Sequence, residues 1–261
     1  MRGKDNDSIK DAEYNFKDVY ISGGFNKNEI LELDGALDKV PYGNHGVRQV
    51  GEPVDAIYSY KIIGIWQLDE AAEAFAFDGS FPGENKYADL DESGDLGADD
   101  KTVIGQISPD WIGGKNNTFT YKNLDLSVQM HTRQGSYGHS EFYNNFVPWQ
   151  NDKAKFNKVD LDYWTPNNPN AKNPALDYGR TGNNYYTSYD FVKIGNIGLG
   201  YNFSHAMLDK LNMSSLRLTL DIQNPFTFTD YAGPDPETGL QNSYNAGNMI
   251  KTVLFGLKLS Y

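Results

Sequence analysis

The chain has 261 residues, 39% of them hydrophobic, enough for one large β domain or two ordinary ones. Its net charge of −12, from 35 acidic against 23 basic residues, comes with no Lys- and Arg-rich stretch interleaved with aromatics, which argues against a nucleic-acid partner. It has no cysteine, excluding disulfides, zinc thiolates and thiol nucleophiles; no apolar run reaches the ~20 residues of a membrane helix, and MRGKDNDSIKDAEYNF lacks a secretory core.

In chain order, DVYISGGFN (18–26) is a weak strand candidate and AIYSYKIIGIWQ (56–67) an aromatic-rich one. After a polar loop of about fifty residues comes a short FTY (119–121), tied to the next strand by a tight Lys122–Asn123 turn. LDLSVQMH (124–131) sets Leu124, Leu126, Val128 and Met130 against Asp125, Ser127, Gln129 and His131. A second polar loop, about fifty-five residues, leads to IGLGYNF (197–203), where Ile197, Leu199, Tyr201 and Phe203 alternate with glycines and Asn202. AMLDKLNM (206–213) is a modest helix candidate. SSLRLTLDIQN (214–224) puts Leu216, Leu218, Leu220 and Ile222 on one face, Arg217, Thr219, Asp221 and Gln223 on the other. KTVLFGLKLSY (251–261) closes with Val253, Phe255, Leu257 and Leu259 in the same alternation.

Long and short connections alternate, so they fall on opposite ends of an antiparallel sheet. That is the pattern of an outer-membrane barrel, with short periplasmic turns, long outer loops, and strands whose apolar face meets lipid. A soluble β-sandwich has the same alternation, its apolar side facing another sheet. Two details favour the membrane: the polar faces carry Arg217, Asp221, Gln223, Gln129 and His131, suited to a wet lumen, and tyrosines sit near strand ends as an interface girdle requires.

Several stretches also resemble a known family in order and spacing. These are GEPVDAIYSYKIIGIWQ (51–67), KYADLDESGDLGADDKTVIGQISPDWIGG (86–114), YKNLDLSVQM (121–130), YWTPNNPNAKNP (163–174), FVKIGNIGLGYNFS (191–204), LRLTLDIQNPFTFTDYAGPDPETG (216–239) and the terminal aromatic strand. Together they are similar to the C-terminal barrel region of the SusC/RagA family of TonB-dependent outer-membrane transporters, from about Gly24 onward. The resemblance implies residence in the outer membrane and a nutrient importer: a 22-stranded barrel closed by a plug, capped by a SusD-like lipoprotein, driven through the TonB complex, and importing oligosaccharide or peptide. It implies that residues 1–261 are the last third of such a barrel, with the plug domain, TonB box and N-terminal barrel strands absent, and that the chain is not an enzyme. The alternation gives about seven or eight strands, with the first and last of a seven-strand count both running toward the periplasm; closure needs an even number, so the chain alone is expected not to insert stably.

The most specific local pattern is DLDESGDLGADD (89–100). Asp89, Asp91, Ser93 and Asp95 occupy positions 1, 3, 5 and 7 of an EF-hand-type calcium loop, Gly94 the turn position and Asp100 position 12. Alternate residues bring oxygens to one hard cation, and the expectation is a structural Ca²⁺; flanking helices are missing, Asp100 reaches less far than Glu, and the alternative is a solvated acidic loop. The four histidines are scattered without HExxH, and GNIGLG (195–200) has the wrong spacing for a dinucleotide fingerprint, so its glycines read as sites of bending or close strand packing. Ligand contact is expected from aromatics of the second long loop, Trp149, Trp164, Tyr178, Tyr185, Tyr186 and Tyr189, whose rings alternatively pack the loop internally. As a second class of function, the chain reads as a soluble calcium-stabilised β-sandwich that binds carbohydrate.

Overall fold

Period-two alternation dictates extended chain, and the longest runs of it build one sheet. The computed structural model describes residues 14–43, 46–140, 142, 162–175, 186–239 and 249–261, with the side chains of 14–17, 36 and 211 left aside. Its elements in chain order are β1 (Tyr14–Phe25), β2 (Lys39–Tyr42), β3 (Gly46–Gln49), β4 (Ala56–Tyr60), β5 (Ile62–Ile65), α1 (Ala71–Phe77), β6 (Asn85–Tyr87) and β7 (Lys101–Gln106). There follow β8 (Trp111–Tyr121), β9 (Leu124–Gln134), β10 (Tyr137–His139), β11 (Tyr186–Ser188), β12 (Phe191–Asn202), α2 (His205–Leu211), β13 (Ser215–Phe228), the helical turn α3 (Pro236–Gly239) and β14 (Thr252–Ser260).

Six strands form the main antiparallel sheet in the order β1-β8-β9-β12-β13-β14. They run from 9 residues in β14 to 14 in β13, enough for a tilted strand to cross a bilayer. The register carries the alternation across strands: Leu124 and Leu126 face Tyr121 and Phe119 on β8 and Tyr201 and Leu199 on β12, while Leu218 and Leu220 face Leu257 and Phe255 on β14. These side chains remain open to the outside, Phe255 at 83% exposure and Leu257 at 61%. Among the described residues no second sheet covers them, which removes the sandwich expectation. The opposite face carries Asp125, Gln129, Asn196, Arg217, Asp221 and Lys258. No helix is long and apolar enough to cross a membrane.

One expectation about the strands is corrected. The 56–67 segment is not a wall strand: it breaks at Lys61 into β4 and β5, which pair within the first long loop. Conversely, FTY is the last part of the eleven-residue β8, whose first eight residues, WIGGKNNT, lack an apolar alternation. The described wall therefore has six strands rather than seven or eight. With β14 running toward the short-turn end, β1 runs toward the long-loop end, and the long connections that leave β1, β9 and β13 all start from one side.

The buried core lies in these loops rather than in the wall. Residues 26–110 fold into a β2-β3-β4-β7 sheet and a β5-β6 ribbon, and β10-β11 forms a further ribbon in the second loop. Trp66, Val47, Ala74, Trp164, Tyr189 and Tyr231 are buried here, while the main sheet adds Phe191 at its long-loop rim.

Candidate functional site

The acidic loop is shaped around its carboxylates. Asp89 accepts backbone N–H groups from Ser93 (3.2 Å) and Gly94 (3.0 Å), and Asp91 accepts one from Ser93 (3.0 Å). Gly94 takes φ +84°, the left-handed region that the turn position demands. Asp100, fully buried, accepts N–H bonds from Leu90 and Gly97, both 2.7 Å. The Gly97 bond first, then the Leu90 bond, holds its carboxyl below the usual carboxylate range. One oxygen from each of Asp89, Asp91 and Asp100 lies within 4.8 Å of the others, a donor set of the kind a hard cation takes. The Asp95 carboxylate stands outside this trio, although its backbone carbonyl accepts the Ser93 hydroxyl at 3.0 Å.

The aromatic candidates divide. Trp149, Tyr178 and Tyr185 lie outside the described residues. Trp164 is buried at 5% exposure, its indole N–H donating to Gln67 Oε1 (3.0 Å) and its ring lying over Gly83, so it fastens residues 162–175 to the first loop. Tyr189 is fully buried against Tyr231, with ring centroids 4.9 Å apart, and its hydroxyl donates to the His139 carbonyl (3.1 Å). Tyr186 lines a cavity that measures about 640 Å³. Sequence reasoning missed its companions Tyr58, Tyr60, Tyr87 and Tyr137. The alternate tyrosines of AIYSYK are the available signal, which reading 56–67 as one wall strand obscures.

On the polar face of the wall, two ionic features stand out. Arg217 of β13 reaches across β12 to Asp125 of β9, with Nη1 to Oδ1 and Nη2 to Oδ2 both 2.7 Å. The intervening position is Gly200, where a Cβ would collide with the guanidinium. This is the close packing expected of the GNIGLG glycines. At the long-loop rim, buried Lys193 binds Asp235 (2.7 Å) and Glu237 (2.8 Å), and Arg133 donates to the Pro236 carbonyl (2.6 Å). His131 stands 3.5 Å from Glu237, so one histidine does find a carboxylate, brought from more than a hundred residues away. Together these contacts dock α3 onto the ends of β9 and β12.

The chain is 31% identical over 235 residues to TonB-dependent receptor P3 of Formosa agariphila, a match covering 84% of this chain and 23% of that protein. It is 26% identical over 258 residues to TonB-dependent receptor SusC of Bacteroides thetaiotaomicron, covering 91% of this chain and 24% of SusC. The solved structure of the RagAB peptide transporter superposes with a TM-score of 0.69 at 22% identity, over 96% of this chain and 28% of that one. No family model matches. The chain thus spans about a quarter of the length of the curated relatives it matches. Its two-faced sheet, its one-sided loops and these likenesses agree: the chain has the fold of an outer-membrane β-barrel wall and is akin to TonB-dependent receptors of the SusC/RagA kind.

Proposed function

We propose that the protein carrying this chain actively imports oligosaccharide or peptide across the outer membrane, drawing energy through TonB and working with a SusD-like surface lipoprotein. The observation that carries the reading is the wall itself: one antiparallel sheet, apolar and open on one face, polar on the other, with a folded loop cap at a single end. Among the described residues β1 and β14 each pair on one side only. In lipid an unsatisfied backbone group costs several kcal/mol. The reading therefore completes the barrel with strands, and closes it with a plug, from other parts of the receptor. The role is not catalytic, in keeping with relatives named as receptors and importers. The test is uptake of a radiolabelled oligosaccharide and peptide mixture by cells lacking the gene. Uptake lost on deletion and on TonB depletion supports the reading, and unchanged uptake of every component overturns it.

We further propose that the acidic loop holds one Ca²⁺ through Asp89, Asp91 and Asp100, with Ser93 and the Asp95 carbonyl completing the shell, and that the ion stiffens the first long loop. The convergence of three carboxylates on a turn already shaped by backbone N–H groups supports it. Calorimetric titration of the purified receptor with CaCl₂ is the check. Binding abolished by Asp89→Ala is expected; no binding, or binding indifferent to that change, removes the ion.

A further inference from the structure

We infer that the cavity between β4, β7 and the β10-β11 ribbon is a binding site for an anionic oligosaccharide, one whose pyranose rings carry carboxylate or sulfate groups. The proposal deepens the import reading by naming the cargo class at one place in the loops.

The cavity holds about 640 Å³, within the usual range for small-ligand sites and room for a few sugar rings. Five half-buried tyrosines, at positions 58, 60, 87, 137 and 186, supply its walls. Their rings are held rather than loose: Tyr137 stacks on Tyr186 with centroids 6.3 Å apart, and Tyr60 leans on Tyr87 at 5.7 Å. β7 approaches this stack so closely that a Cβ on Gly105 would stand 2.8 Å from the Tyr137 ring. Ring faces fixed in this way match the C–H faces of pyranoses, and the hydroxyls of Tyr58, Ser59 and Thr102 match a ligand rich in hydroxyls.

Charge makes the choice of ligand sharper. In a chain with 12 more acidic than basic residues, the charged groups lining this cavity among the described residues are Lys61 and Lys101, with no carboxylate beside them in the lining. Lys101 lies over the Tyr60 ring at 5.1 Å, and among the described residues neither lysine has a carboxylate partner. The acidic loop 89–100 adjoins the cavity through Leu90 but contributes none of its carboxylates to the wall. Burial pushes the Tyr186 phenol up to about 12 and raises those of Tyr87 and Tyr137, so these walls stay neutral hydroxyls at ordinary pH. The charged side chains that the described cavity wall presents to a ligand are therefore both cationic. A neutral glycan would make no use of the two ammonium groups, and an acidic peptide would use the lysines while leaving the ring faces without pyranose partners.

The test applies the purified whole receptor to an array presenting uronate-containing and sulfated oligosaccharides beside neutral oligosaccharides and acidic peptides. Retention on anionic oligosaccharides is expected, with affinity falling about tenfold in Lys61→Gln and in Lys101→Gln. Lys210→Gln, on α2 at the far end of the wall, is expected to bind as the parent does. Retention only on neutral sugars, retention only on acidic peptides, no retention at all, or equal retention by the lysine variants each overturns the proposal. Heat-modifiable mobility of each variant confirms a folded barrel. Binding without uptake would refute the import reading and leave the cavity assignment standing.

Discussion

Leu254 and Leu257 offer a test of which medium wets each face of the wall, because they share a residue type and a strand and differ only in parity. Both are open in the chain as it stands, at 47% and 61% exposure. Leu257 faces Leu218 on the apolar side, one residue from the centre of the nine-residue β14, whereas Leu254 faces Asp221 on the polar side. An arginine on the lipid side near the bilayer midplane costs about 2–4 kcal/mol. Leu257→Arg should therefore shift the folding equilibrium of the whole receptor by roughly thirty- to a thousandfold, at about tenfold per 1.4 kcal/mol. Leu254→Arg enters a wet lumen beside a carboxylate and should stay within about 0.5 kcal/mol of the parent. Urea titrations of the receptor in phospholipid vesicles, scored by heat-modifiable gel mobility, measure both. Equal losses, or a larger loss for Leu254→Arg, would refute the assignment of faces.

Three further outcomes follow from the polar face and the rim. Gly200→Val places a side chain where the Arg217–Asp125 pair now lies, and overpacking of this kind costs about 1–3 kcal/mol; the same urea titration reads it, and an Arg217→Ala background should absorb most of the loss. Lys193→Met leaves Asp235, 2% exposed, buried without its cation, a change worth about 3–5 kcal/mol; faster protease cleavage within 229–239 is expected, and an unchanged rate would show that Lys193 does not hold the loop. Burial pushes the Glu237 carboxyl up, but the hydrogen bond and charge of Lys193, with a smaller share from His131, outweigh it and hold the group below its ordinary 4.5. A lowered carboxyl contributes docking free energy that is present above the ordinary value and lost as pH falls through the lowered one. Cleavage at 229–239 should thus accelerate only below pH 4.5, and in Glu237→Gln that acceleration should shrink.

The wall was legible where side chains alternate and illegible where they do not. SSLRLTLDIQN and KTVLFGLKLSY announce β13 and β14 because leucines mark every second position. β8 is legible only in its last three residues because WIGGKNNT holds two glycines, Lys115 and Asn117, and is extended by pairing along all of β9 rather than by its own pattern. The reverse error at 56–67 has the same origin: two short strands separated by Lys61 mimic one long alternation, and the chain's partners, not its composition, decide which sheet each joins. The calcium-type spacing was fully visible, since a loop of that kind is local. The tyrosine cavity was not, because it gathers residues from 58 to 186, and long-range pairing leaves no period in a sequence.

The placement of buried residues explains how such a chain divides its tasks. A soluble domain must hide its apolar side chains from water, but a wall strand in lipid gains by leaving them outside, so β9, β13 and β14 assemble without a core of their own. Their inward face is then free to be polar, and glycines such as Gly200 thin it enough for an arginine on one strand to reach an aspartate two strands away. Packing in the ordinary sense is concentrated in the loops, where Trp66, Trp164 and Tyr189 are buried in water-facing structure. Loop cores anchored to the wall through its rim, as Lys193 with Asp235 and Arg133 with Pro236, can change their cavities with little consequence for the strands beneath.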